Sequence, residues 1–547
     1  MIAADAVPGS PELRDGDLRE RIAALASPEA YPHPVGEVEV VQTHISVVFL
    51  TERFAYKLKK PVDLGFLDYS TSARRRRFCS AEVELNRRLA ADVYLRVAPL
   101  ARGRDGRLRV DGEGRPVDWL VVMRRLPDDR HAKALLERDE LTADRIDRLA
   151  ERLARFHREA TRGPRIARFG SFEAVAGNCR ENFAQLEPFV GRTVHPEVFA
   201  RLREATEAEL ARRRPLIEAR AAHGVPCDGH GDLRLEHVYF LADRPPPRDV
   251  VVVDCIEFNE RFRYGDPMAD LAFLLMELRK EGRADLAARC AERYVAATGD
   301  AEGRALLPLY TAYRATVRGK VHGFAWAEPE LPAPERTRAL ERARGDLLFA
   351  DALLRPRGER PCVVLVGGLP GTGKSTLAQA LAERANLRWI RSDAVRKQLA
   401  GLTPRSSASA PPDEGIYAPA WTERTYRECL ERVEDALFAG RRALVDASFV
   451  SARWRRAFFE AARRWEVPFV FLRCELEPEI AHERLARRAP CAEAVSDADA
   501  ETYDHLARRW VESPPEVERR ERAVSTRGTP REALDRAWAV LQEFALV

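Results

Sequence analysis

The octet "GLPGTGKS", Gly368 to Ser375, follows the apolar run "CVVLV" and opens the helical stretch "STLAQALAE". It fits GxxxxGK[ST], and that pattern leaves few architectures open. A buried strand must deliver the chain into a loop whose backbone N–H groups turn inward around phosphate oxygens, and a helix must begin on the same phosphates. Gly368, Gly371 and Gly373 permit the close approach, Lys374 reaches the β and γ phosphates, and the Ser375 hydroxyl ligates magnesium. Thr372 and Thr376 complete the expected nucleotide-binding set. Further apolar strands, "RALVDASF" and "PFVFLRCEL", lie between helices downstream. Residues 360–547 therefore read as an α/β P-loop NTPase domain with a parallel sheet.

Other residues of this segment carry candidate chemistry. Asp446 ends an apolar run and is placed as the carboxylate that holds the magnesium shell; a strand-end aspartate capping the next helix is the competing reading. In "WIRSDAVRKQL", Asp393 suits a general base, with Arg396 and Lys397 a turn later as a cationic clamp on substrate; a helix N-cap formed by Ser392 or Asp393 is the alternative. "EPEIAHERLARRAP" sets Arg484, Arg487 and Arg488 at i, i+3 and i+4. They read either as a lid closing on transferring phosphate or as a solvated arginine face. The stretch 403–420 is a low-complexity loop.

Upstream the pattern changes. From about 36 to 125 short β-type runs alternate around one helical stretch, and from about 126 to 350 helical periodicity dominates. Ile146, Leu149, Leu153 and Phe156 mark one buried helix face, and Asp266-Pro267 supplies an N-cap and an N1 proline. Proline- and charge-rich text around 327 to 360 suggests a linker at 351–359 between a 1–350 domain and the P-loop domain.

Within that first domain "CDGHGDLRLEHVYF" places Asp232 five residues ahead of His237, and the strand "DVVVVD" delivers Asp254 about twenty residues later. The spacing is that of a phosphoryl-transfer catalytic loop followed by a metal-binding aspartate. Glu257 lies close by in sequence. "RFAYKLKK" carries Lys57 in the register of a nucleotide-binding lysine. Helical periodicity of "RRRRFCSAEVELNRRLA" turns Glu82 inward as its ion-pair partner. Lys59 shares the side of Lys57 by period-two alternation and stands as the alternative. His237 occupies a position where an oxygen ligand is expected, since magnesium prefers oxygen. It can hold Asp232 by a hydrogen bond, favour another metal, or mark a site that has lost one. The first of these is the favoured expectation, with Asp254 as principal metal ligand.

Composition narrows the function classes. The 90 basic and 86 acidic side chains of the 547 residues leave a formal charge of +4, which argues against long nucleic acid as a partner. Only eight of the basic residues are lysine, and Lys57 and Lys374 both fall where a compact ammonium would meet phosphate. Nine scattered cysteines without a CxxC pair argue against disulfides and zinc ribbons. With no apolar leader at the N-terminus and no membrane-length apolar run, the reading is a cytoplasmic enzyme with no membrane partner.

Residues 360–547 resemble P-loop small-molecule kinases of the gluconate kinase, zeta toxin and polynucleotide kinase type, through "GGLPGTGKSTLA", "RSDAVRK", "LVDASF" and "ERLARR". Residues from about 36 to 350 resemble the aminoglycoside phosphotransferase and choline kinase group, through "HGDLRLEH", "VDCIEFNERFRYGDPMADLAFL" and "LARFH". The resemblances imply an α+β kinase-like two-lobed domain followed by the P-loop domain, each using ATP and Mg2+ to phosphorylate a small-molecule hydroxyl. Asp232 and Asp393 would be the bases, and the arginine helix the lid. Two departures stand out: no glycine-rich loop precedes Lys57, and Gly231 replaces the arginine that protein kinases carry before the catalytic aspartate. The alternatives are a first module that only binds or senses substrate, and a nucleotide-sugar or nucleic-acid 5′-hydroxyl acceptor.

Overall fold

The computed structural model describes residues 15–65, 67–403, 413–488 and 498–547. The expectations for the first fourteen residues and for 404–412 of the low-complexity loop lie outside the described residues. The chain forms two compact units, one of residues up to Val175 with Arg213–Tyr310, the other of Ala176–Arg212 with Thr311–Val547.

The first unit opens on an antiparallel sheet: β1 (Glu39–Gln42), β2 (Ser46–Leu50), β3 (Phe54–Lys59), β4 (Tyr94–Arg102), β5 (Leu108–Val110) and β6 (Arg115–Arg124), in the order β1-β2-β3-β6-β4-β5. Side chains alternate between its faces. On β6, Leu120 and Val122 join Val47, Phe49, Tyr56 and Leu58 in one core cluster, while Val121 joins Cys79 and Val83 in another beneath the helix Ser72–Ala90. That helix starts where the Thr71 hydroxyl accepts the Arg74 N–H.

Helices dominate the rest of this unit, with two small strand pairs framing the His-Gly-Asp loop. β7 (Cys227–Asp228) pairs with β10 (Tyr264–Gly265), and β8 (Val238–Phe240) pairs antiparallel with β9 (Val250–Val252). The loop thus runs between two anchored strands, and Asp254 follows the end of β9. Ile146, Leu149 and Leu153 are wholly buried on the helix Ala143–Glu159, as their spacing requires. Asp266 caps the helix Pro267–Lys280 by accepting the Met268 N–H at 2.9 Å, with Pro267 at its first position.

In the second unit β11 (Val363–Gly367), β12 (Arg388–Arg391), β13 (Ala443–Asp446), β14 (Phe469–Glu475) and β15 (Glu521–Ser525) are all parallel, in the order β12-β13-β11-β14-β15. Every residue of β11 and β13 is buried, which is why both read as unbroken apolar runs. Leu377, Ala378 and Leu381 of the helix Lys374–Arg384 cover one face together with the helix Pro530–Glu543, itself begun by a Thr529–Glu532 capping box. The unit also holds the helix Ala333–Leu353, whose buried Asp351 accepts Arg201 at 2.8 Å and Arg355 at 3.3 Å.

Asp270, on the helix Pro267–Lys280, is the anchor of the His-Gly-Asp loop: its carboxylate accepts the main-chain N–H groups of His230, at 2.5 Å, and Gly231, at 2.8 Å, with His157 Nε2 at 3.3 Å. Asp270→Ala leaves two buried donors unsatisfied, each costing about 1–3 kcal/mol. Chemical denaturation followed by a probe in the first unit is expected to show that loss, with Asp270→Asn less costly because it keeps an acceptor.

Candidate active sites

The alternation that buries Tyr56 and Leu58 sends Lys57 and Lys59 to the helix-covered face of β3, where Glu82 waits with no exposed surface. Glu82 pairs with both lysines, Lys57 Nζ at 2.9 Å and Lys59 Nζ at 2.5 Å. Lys57 also reaches Asp254 Oδ1 at 2.7 Å, while Lys59 pairs with Glu257, which accepts the Tyr69 hydroxyl as well. The two lysines that the sequence leaves as alternatives thus serve the same carboxylate. Burial opposes charge on Lys57, Lys59 and Glu82, yet Asp254 and Glu82 raise Lys57 well above the usual lysine range, and Lys57 with Lys59 lower Glu82 below the usual carboxylate range. Removing one partner of such a buried cluster costs about 3–5 kcal/mol.

Asp254 sits in the left-handed region at φ 63°, an uncommon setting for an aspartate. Two side chains hold it there: the Tyr94 hydroxyl accepts the Asp254 N–H at 3.1 Å, and Asn86 Oδ1 accepts the Cys255 N–H at 2.9 Å. Burial works against its ionisation, but Lys57 first, then His237, outweigh it and hold the carboxyl well below the ordinary range. Asp232, His237 and Asp254 each offer one ligand atom, and these atoms lie within 4.8 Å of one another. An ionised carboxylate, a second carboxylate and an imidazole so gathered fit a divalent cation. The His237 Nδ1 atom is 2.9 Å from the main-chain oxygen of Asp232, and Nε2 is 3.6 Å from Asp254 Oδ2. His230, wholly buried and held down to about 4 mainly by that burial, keeps a neutral ring whose Nδ1 faces the Asp232 N–H at 3.3 Å.

In the second unit the parallel register does the gathering. Val366, Asp446 and Arg391 stand level on β11, β13 and β12, so the loop after β11, the Asp446 carboxylate and the helix Ser392–Leu399 all meet at the C-terminal edge. Gly371 adopts φ 77°, and a Cβ there would come within 2.6 Å of the Ala481 oxygen, so both backbone angle and space require glycine. Lys374 Nζ donates to the Leu369 oxygen at 2.7 Å across the loop, and Gly373 caps the helix it begins.

A cavity of about 1210 Å³ opens above this edge, lined among others by Lys374, Ser375, Asp393, Arg396, Asp446 and Arg484. Burial raises the Asp446 carboxyl; Lys374 and a hydrogen bond from Ser375 oppose that rise, and Asp393 adds to it. Ser375 and Asp446 together could hold a cation, and Asp393 lies in the first turn of its helix, open to the same space.

The remaining expected residues divide. Arg484 Nη2 donates to the Thr526 oxygen at 3.0 Å, beside the loop at Gly373, whereas Arg487 is exposed and paired with Glu483 on its own helix. The Arg488 side chain lies outside the described residues. Arg396 is buried, donates to the Ile416 oxygen at 2.7 Å and lies over the Tyr417 ring, while Lys397 is wholly buried. Sequence reasoning missed Asp270, Tyr94 and Asn86. The last could have been found, because it lies four residues after Glu82 on the same inner helix face.

The profile of the phosphotransferase enzyme family matches residues 62–309, and that of an AAA domain matches 363–514. An uncharacterized protein of Mycobacterium tuberculosis is 34% identical over 485 residues, covering 88% of this chain and 92% of its own. Among solved structures, a glucosamine kinase aligns at 17% identity over 63% of this chain and 82% of its own, with a TM-score of 0.33. A gluconokinase from Sinorhizobium meliloti aligns at 20% identity over 34% and 94%, with a TM-score of 0.25. Among the described residues no helix is long and apolar enough to cross a membrane. With a phosphotransferase-family domain and an AAA domain, the chain belongs to the family of the mycobacterial protein and is an ATP-dependent phosphotransferase.

Proposed function

We propose that each module transfers the γ-phosphoryl group of ATP, bound with Mg2+, to a hydroxyl of a small-molecule acceptor, with the chemistry divided at 351–359. In the P-loop module Asp393 accepts the acceptor's proton as its oxygen bonds to phosphorus and the bond to the ADP oxygen breaks. Lys374 and Arg484 balance the charge on the transferring group, and Arg396 orders the wall of the acceptor space. Ser375 and Asp446 would hold the magnesium ion, which supplies charge neutralisation on the phosphate oxygens. In the first module Asp232 is the base, Lys57 steadied by Glu82 meets phosphate, and Asp254 is a metal ligand.

The observation that carries this reading is the convergence of Lys374, Ser375, Asp446 and Asp393 on one cavity at the level ends of three parallel strands. A cytoplasmic location is supported by the eight described cysteines, all free and buried.

The test uses the full chain, with labelled-ATP binding and ADP release read across sugars, aminoglycosides and nucleosides. Lys374→Ala is expected to abolish ATP binding at the P-loop module, and unchanged affinity there would contradict the assignment. Asp393→Asn is expected to leave ATP binding nearly intact and lower transfer by about 100-fold or more; a collapse of nucleotide binding alone would make Asp393 structural. Asp232→Asn should remove turnover on whichever acceptor survives Lys374→Ala. A first module that only binds or senses substrate would show no such loss.

A further inference from the structure

The His237 ring is held in one tautomer. Its Nδ1 lies 2.9 Å from the main-chain oxygen of Asp232, and a carbonyl oxygen can only accept, so Nδ1 carries the proton. In the neutral ring Nε2 then keeps its lone pair. That atom stands 3.6 Å from Asp254 Oδ2, beyond a hydrogen bond, and the ligand atoms of Asp232, His237 and Asp254 lie within 4.8 Å of one another.

The position is also rigid. The His237 N–H donates to the Arg234 oxygen at 3.1 Å, and its own main-chain oxygen accepts the Val253 N–H at 2.9 Å, which ties it to the residue just before Asp254. The side chain is only 14% exposed. A histidine whose Nδ1–H is spent on a backbone carbonyl, leaving Nε2 facing carboxylates, has the arrangement in which imidazoles bind metals.

We infer that His237 ligates a divalent cation through Nε2 together with Asp254, and that this nitrogen makes the first module prefer manganese over magnesium. Magnesium keeps to oxygen donors, whereas one imidazole among oxygens favours ions that accept nitrogen more readily. The inference rests on the reading of the first module as a nucleotide–metal site. The competing arrangement is a protonated ring lying between two carboxylates and touching no metal.

Electron spin-echo spectroscopy of Mn2+ bound to the full chain with a non-hydrolysable ATP analogue separates these arrangements, because an imidazole nitrogen on the metal modulates the echo. Ser375 and Asp446 bring no nitrogen to the P-loop metal. The wild-type protein is expected to show nitrogen modulation. His237→Asn should lose it with manganese still bound at both modules, and its preference for manganese over magnesium in competition titrations should fall several-fold. Manganese at both modules with no nitrogen modulation in the wild type, or modulation unchanged in His237→Asn, would overturn the inference alone. Manganese bound at the P-loop module only, with Asp254→Ala changing nothing, would overturn both it and the reading of the first module. The wild-type measurement decides even if His237→Asn fails to fold.

Discussion

Strong charges can be kept in place before any ligand arrives by setting them against one another, and the first unit does so. Glu82 alone, with no exposed surface, answers both Lys57 and Lys59. Each lysine then reaches a second carboxylate, Asp254 or Glu257, so sheet, helix and the loop after β9 meet in one ion cluster. The cluster is a weak source of net stability, since desolvation offsets much of the attraction. Its effect is on position: Lys57 is shared between Glu82 and Asp254 and cannot shift without weakening both pairs.

The P-loop module solves the same problem with backbone. Its phosphate cradle is glycine loop and helix terminus, and its carboxylates arrive because parallel strands end level. Asp446 is deeply buried there, and Lys374 and Ser375 restrain the rise in its pKa that burial imposes. The two modules thus fix their charged groups by different routes, side-chain pairing in one and main-chain geometry in the other.

That difference governs what could be read from the sequence. The P-loop was legible residue by residue because its geometry is local: eight consecutive positions specify it. Lys57 and Glu82 were legible through strand and helix period, and the same period could not choose between Lys57 and Lys59 because both do face Glu82. Asp270 and Tyr94 were invisible, since they hold main-chain N–H groups of residues far away in sequence and such bonds leave no motif. The arginine helix shows the limit of facial arithmetic. Positions i and i+3 differ by about 60° around the helix axis, enough to aim Arg484 at Thr526 while Arg487 joins Glu483.

The way the chain is shared between the two compact units has a consequence for its history. The backbone passes from one unit to the other at 175–176, returns at 212–213 and leaves again at 310–311. Helices that lie within the N-terminal half of the sequence, with Arg201 bonded to Asp351 and His195 edge-on to Phe438, are packed into the body that carries the P-loop. No single break in the gene yields two intact bodies, since no one cut separates both segments of the first unit from both segments of the second. Once such interleaving exists, the two bodies are inherited, expressed and lost together, in a fixed one-to-one ratio that no regulation of separate transcripts could alter.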